Sequence, residues 1–145
     1  MSYATPQDMV DLFGEREIVE LTNLDNPSNS GIDTIRLQAA LEYASQEVDS
    51  YISVRYDIPL ASVPLVLKNK VADIARYHLD SYRVRDDVRM RYEDAVAWLK
   101  LVAKGDASLG LDENSTATQP QGTTDYFAAD RVFSSSVLDN YVGNN

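Results

Sequence analysis

The chain has a single histidine, His78, and no cysteine. Without thiols, disulfides and thiolate metal sites are excluded, and one imidazole leaves little for a zinc site. His78 falls in helical register with Leu67, Val71, Ile74, Ala75 and Tyr82. A lone histidine on such an apolar stripe is expected to be a hydrogen-bonded core residue, and no serine or carboxylate around it completes a triad. The paired carboxylates Asp86/Asp87 and Glu93/Asp94 are sequence neighbours, so on a helix they diverge rather than converge on a substrate. Asp25, Asn26, Ser28, Asn29 and Gly31 bear a loose likeness to a calcium loop, yet the ligand spacing and the terminal bidentate acid are missing. The stretch Thr22 to Gly31 therefore reads as a polar connector. Arg83, Arg85, Arg89 and Arg91 form a local basic cluster, but acids are interleaved with them and a solvated helix face is expected. With no glycine-rich phosphate loop and no nucleophile motif, neither an enzyme nor a cofactor is expected.

The charge distribution points the same way. The net charge of −10 sits at the two ends: residues 1–32 and 106–145 each carry one arginine against six acids, while residues 33–104 balance eleven bases with eleven acids. Tight nucleic-acid binding needs a net basic footprint, and no region supplies one. There is no apolar run of about 18 residues to span a bilayer and no charged-then-apolar leader, so a cytosolic origin is expected. At 145 residues with 44% apolar side chains, one folded core is the expectation.

The elements that would position these residues are helical. Thr5-Pro6-Gln7-Asp8 is a helix start, with Thr5 as cap and Pro6 in the first turn, and Met9, Leu12 and Phe13 give that helix its apolar side before Gly14. Another turn or two is expected over Glu15 to Leu21, with Ile18, Val19 and Leu21 inward. Asp33 then caps a long amphipathic helix from Ile35 to about Arg55. Its stripe is Leu37, Leu41, Ala44, Val48, Tyr51 and Ile52, with Tyr43 and Tyr56 at the edges. The stretch Tyr51 to Leu79 organises the rest. Pro59 and Pro64 push Ile58 and Val63 out of the α region, predicting a stiff, extended elbow before the next helix. A break near Arg83 to Arg85 and a cap at Asp86 predict a last helix to about Lys104, stopped by Gly105. Its stripe is Val88, Tyr92, Ala95, Val96, Leu99 and Val102, with Trp98 as a flanking anchor. The short joint makes the last two helices antiparallel neighbours. The fold class is all-α, a small antiparallel bundle of about four helices with a long C-terminal tail.

That tail divides again. Residues 1–111 read as the helical domain. Residues 112–125 lack any large apolar side chain and predict a mobile linker when the protein is alone. Residues 126–145 bring the aromatics back, and Phe133, Val137, Leu138 and Tyr141 are candidates for docking on a partner, the alternative being that they fold back on their own core.

Four stretches carry a resemblance to a known family. They are SYATPQDMVDLFGEREIVELT, GIDTIRLQAALEYASQEVDSYISVRYDIPLASVPLVLKNKVADIARYHL, RYEDAVAWLKLVAKGDASLGL and DRVFSSSVLDNY. In that order they resemble the phage and prophage neck proteins of the Mu-like type. Ser135 and Asn140 depart from the basic residue and glycine that related chains tend to carry. The resemblance implies a helical head–tail connector that assembles as a ring on the twelvefold portal after DNA packaging, with no enzymatic activity. The partners it implies are the portal protein, further copies of the chain in a dodecamer, and a downstream neck or tail protein. DNA would pass through the lumen without specific binding. The protein would be made in the host cytoplasm and end in the virion neck, away from any membrane. A ring is a closed set of heterologous contacts and needs two different patches per subunit. The expected subunit contact is Tyr56, Ile58, Pro59 and Leu60, and the expected docking segment is Phe133 to Tyr141. The other reading is a small helical regulatory or tail-completion protein that binds its partner through the acidic C-terminal tail.

Overall fold

The first helix begins as its sequence dictates. The Thr5 hydroxyl accepts from the Asp8 N–H at 3.2 Å and the Asp8 carboxylate accepts from the Thr5 N–H at 2.8 Å, a reciprocal capping box. It starts α1 (Pro6–Phe13), and Gly14 at φ +89° turns the chain directly into α2 (Glu15–Thr22). The turn or two expected over Glu15 to Leu21 is thus a full helix. The computed structural model describes residues 2–112, and there the regular elements are five α-helices. The docking candidates Phe133, Val137, Leu138 and Tyr141, and the linker beyond residue 112, lie outside the described residues.

Asp33 caps α3 (Thr34–Ile52) as expected, accepting from the Ile35 and Arg36 N–H groups at 3.1 Å each. Then come α4 (Leu65–Leu79) and α5 (Asp86–Lys104), the latter stopped by Gly105 in the left-handed conformation at φ +88°. A Cβ at Gly105 would meet only the tip of the flexible Arg55 side chain, so the left-handed φ is what calls for glycine there. Asp86 lies in the first turn of α5, not at its cap, and there its charge complements the helix dipole.

α3, α4 and α5 pack on one another most extensively, and α1 and α2 lie across them. The Leu37, Leu41, Ala44, Val48 and Ile52 stripe of α3 is buried against Leu67, Val71, Ile74 and Ala75 of α4 and Ala95, Leu99 and Val102 of α5. Each large side chain so buried contributes about 1.5–3 kcal/mol. Contacts of Asp73 with Arg91 and of Arg76 with Asp87, each at 3.6 Å, show α4 and α5 running antiparallel. Met9, Ile18 and Leu21 tie the first two helices to this core, and Trp98 packs at its edge. Leu12, expected to face inward, is exposed instead, and Val10 takes part in the packing. Ahead of α1, the Tyr3 N–H donates to the Ser45 hydroxyl at 3.0 Å and the Tyr3 phenol donates to Asp49, so the N-terminal segment is fastened along α3.

Two expectations about α4 are corrected. His78 is not in the core: it is exposed, with its Nε2 3.0 Å from the Glu47 carboxylate. The helix ends at Leu79, so Tyr82 does not continue its stripe, and the buried positions near this end belong to Arg76, Leu79 and Asp80. The reason is chemical. The Arg76 guanidinium meets two carboxylates, Glu17 and Asp87, and the face of Phe13, whereas the imidazole meets the single carboxylate of Glu47.

Candidate functional site

Immediately after α3 the Arg55 and Tyr56 N–H groups both donate to the Ile52 carbonyl at 2.9 Å. This turn bends the chain at once and drives the Tyr56 ring into the core, where it is 1% exposed. The Tyr56 hydroxyl accepts from the Leu109 N–H at 3.0 Å and lies 3.4 Å from the Ser108 hydroxyl. The segment following α5 is thereby closed over the start of the elbow, with Leu109 buried and Ala107 and Leu111 packed beside it. The elbow is a succession of turns and bends, with a cis peptide bond at Ile58-Pro59, and not the extended segment expected from its prolines. Proline restricts its own and the preceding residue, but burial of Tyr56 sets the path.

What this turn presents is apolar. Val54, Ile58, Val63, Leu65 and Val66 are exposed, Val54 and Leu65 by 64% and 70%. On its other side the elbow borders a cavity of about 480 Å³ lined by Tyr56, Asp57, Pro59, Leu60, Leu111 and Asp112. Of the residues expected at a subunit contact, Pro59 and Leu60 line this cavity and Ile58 lies on the exposed surface. Tyr56 lines the cavity too, with its ring otherwise buried in the core. No ion pair is formed by Asp57 or Asp112 among the described residues.

Two polar clusters lie elsewhere. Glu47 of α3 accepts from the Tyr92 phenol at 2.8 Å and meets His78 with its other oxygen. Tyr92 stacks on Tyr77 at 3.9 Å between centroids, and the His78 ring lies edge-on to both. Burial and the Glu47 carboxylate push the Tyr92 phenol up to about 12. This cluster braces α3, α4 and α5, with no nucleophile in it for an imidazole to activate. The second cluster centres on Glu17, which accepts from Arg76 and from Arg85, each at 2.7 Å, while Arg85 also reaches Asp80 at 3.3 Å. Burial works to raise the Glu17 pKa, and the two guanidinium groups outweigh it and hold the carboxyl below its usual range.

Sequence reading missed this second cluster. An arginine within an apolar stripe counts as surface in any pattern of hydropathy, and only its pairing partner 59 residues away makes it a core residue. The supposed calcium loop is likewise built on Thr22 and Asn23. The Asn23 amide donates to the Val19 and Gly31 carbonyls at 2.9 and 2.6 Å, and the Thr22 hydroxyl accepts from the Asp33 N–H at 3.2 Å. Asp25 turns to Arg36 and Tyr82. Among the described residues, no three His, Asp or Glu side chains are grouped to hold a metal ion, and none of the helices is long and apolar enough to cross a membrane.

Comparison with known proteins points to a phage family. Residues 3–127 match the family described as Bacteriophage Mu, Gp36. The chain is 37% identical over 121 residues to the Mu-like prophage FluMu protein gp36 of Haemophilus influenzae, covering 83% of this chain and 84% of that protein. It is 30% identical over 122 residues to gene product J of Escherichia phage Mu, covering 84% and 85% respectively. The matched span takes in every described helix, the elbow and the segment that closes over it, and the chain belongs to the Bacteriophage Mu Gp36 family.

Proposed function

We propose that the protein is a structural virion neck protein, a head–tail connector that forms a ring on the portal after DNA packaging and provides the platform for tail attachment. The observation that carries this reading is the elbow. Its apolar residues are displayed on a turn whose base is fixed by Tyr56 and the segment after α5, which is how a subunit offers a self-contact at a constant angle. Membership of a phage Mu family supports it. In this reading residues 1–111 form the ring-building body, with Ile58, Pro59 and Leu60 at the subunit contact. Residues 126–145, through Phe133, Val137, Leu138 and Tyr141, dock on the portal or on a neighbouring copy. The protein carries out no reaction, and DNA passes through the lumen repelled by the acidic chain ends.

Deletion of residues 131–145 is expected to leave helical circular dichroism and thermal melting unchanged and to abolish co-sedimentation with purified portal. A truncated chain that binds portal as the full chain does would remove the tail from this account.

A further inference from the structure

The cavity beside the elbow is lined by apolar Pro59, Leu60 and Leu111 and by two exposed carboxylates, Asp57 and Asp112. At the opposite end of α4, about 22 Å away for 15 residues, the turn into α5 has the complementary composition. There Tyr82, Arg83 and Val84 stand together. The Tyr82 ring is 72% exposed, yet its hydroxyl is held by Asp25, itself held by Arg36. The knob is thus fixed in place before it meets anything. Arg83 forms no ion pair among the described residues, although Arg76, Arg85, Arg89 and Arg91 around it each do.

We propose that the elbow cavity is a socket for the Tyr82–Val84 turn of a second copy of this chain, with Arg83 between Asp57 and Asp112 and its apolar neighbours on Pro59, Leu60 and Leu111. Socket and plug lie at opposite ends of the α4–α5 pair, so one subunit cannot satisfy itself. A contact of this kind is heterologous and propagates head to tail, closing into a ring when the rotation allows. Charge complementarity selects the occupant: the plug brings the cation that the socket lacks, and the turn is short enough to enter. The inference deepens the ring reading and names the two patches such a ring needs.

The absence of cysteine makes a direct test available. Full-length Asp57→Cys and Arg83→Cys variants are mixed under mild oxidation, at high concentration alone and with portal particles. An Asp94→Cys variant, altered on the exposed side of α5, serves as control. The expected product is the disulfide-linked heterodimer of the first two variants in excess over either homodimer, and no such product with the control. Homodimers alone, or no cross-link in either condition, would overturn the contact. Arg83→Glu and Asp57→Arg are each expected to raise the concentration needed for self-association by about tenfold, with the double variant restoring it. A double variant no better than the singles also overturns it. Wild-type rings on portal by electron microscopy without the cross-link reject the socket and leave the neck reading standing. The cross-link without portal binding does the reverse.

Discussion

At the scale of single residues the least expected feature is Arg76, 7% exposed between the buried residues Ala75 and Leu79 of α4. Its guanidinium also lies 4.6 Å above the Phe13 ring, so it joins α1, α2 and α4 at once. Burying a guanidinium is costly, and the ion pair with Glu17 offsets the cost; removing Arg76 leaves Glu17 to Arg85 alone and opens the space beside Phe13. Arg76→Met is therefore expected to destabilise the fold by about 1.5 kcal/mol, the loss of one charged hydrogen bond, read as a lower urea midpoint with an unchanged slope. The pH dependence carries a sign. The Glu17 pKa is lowered on folding, so its contribution is present above the unfolded value and lost as pH falls through the folded one. The stability difference between wild type and Glu17→Gln should be constant above roughly pH 5 and shrink below it. A difference that grows on acidification would contradict the pairing. None of this was legible in the sequence, because periodicity finds which side of a helix is apolar and says nothing of a polar residue whose partner lies on another helix. Thr22 and Asn23 were hidden for the same reason, inside a stretch whose composition signals a connector.

At the scale of elements, helix ends were the most legible feature and the path of the elbow the least. Thr5, Asp33 and Gly105 act within one turn of their own position, so local chemistry was enough to place them. The elbow depends on a contact 53 residues away, where the Tyr56 hydroxyl receives the Leu109 N–H, and proline spacing holds no information about that. Tyr56→Phe tests the contact with little change of volume. It leaves a buried backbone donor without its acceptor, which costs about 1–3 kcal/mol. It should also loosen the segment after α5 selectively. Hydrogen exchange at the Leu109 amide is expected to accelerate more than exchange within α3 or α4, and uniform acceleration would mean the hydroxyl has no special part in closing the elbow.

At the scale of the whole molecule, the body and its charge serve different ends. In the proposed ring the acidic terminal regions would disfavour retention of nucleic acid, and the balanced helical portion would leave apolar contact as the main drive for association between copies. In the proposed ring that drive would be concentrated at the elbow, where Ile58 is 39% exposed and Val54, Val63, Leu65 and Val66 are exposed as well. An aspartate at position 58 would meet water in the free subunit, so Ile58→Asp should alter folding stability by no more than about 0.5 kcal/mol. In a ring the same carboxylate would be pressed against the next subunit without a partner, repeated at every interface, and the penalty would multiply around the circle. The expected result is a variant that melts with the wild type yet yields no rings on portal particles by electron microscopy. Rings of normal number and diameter would show that copies meet through some other surface, and the rigid turn would then be a feature of the fold alone.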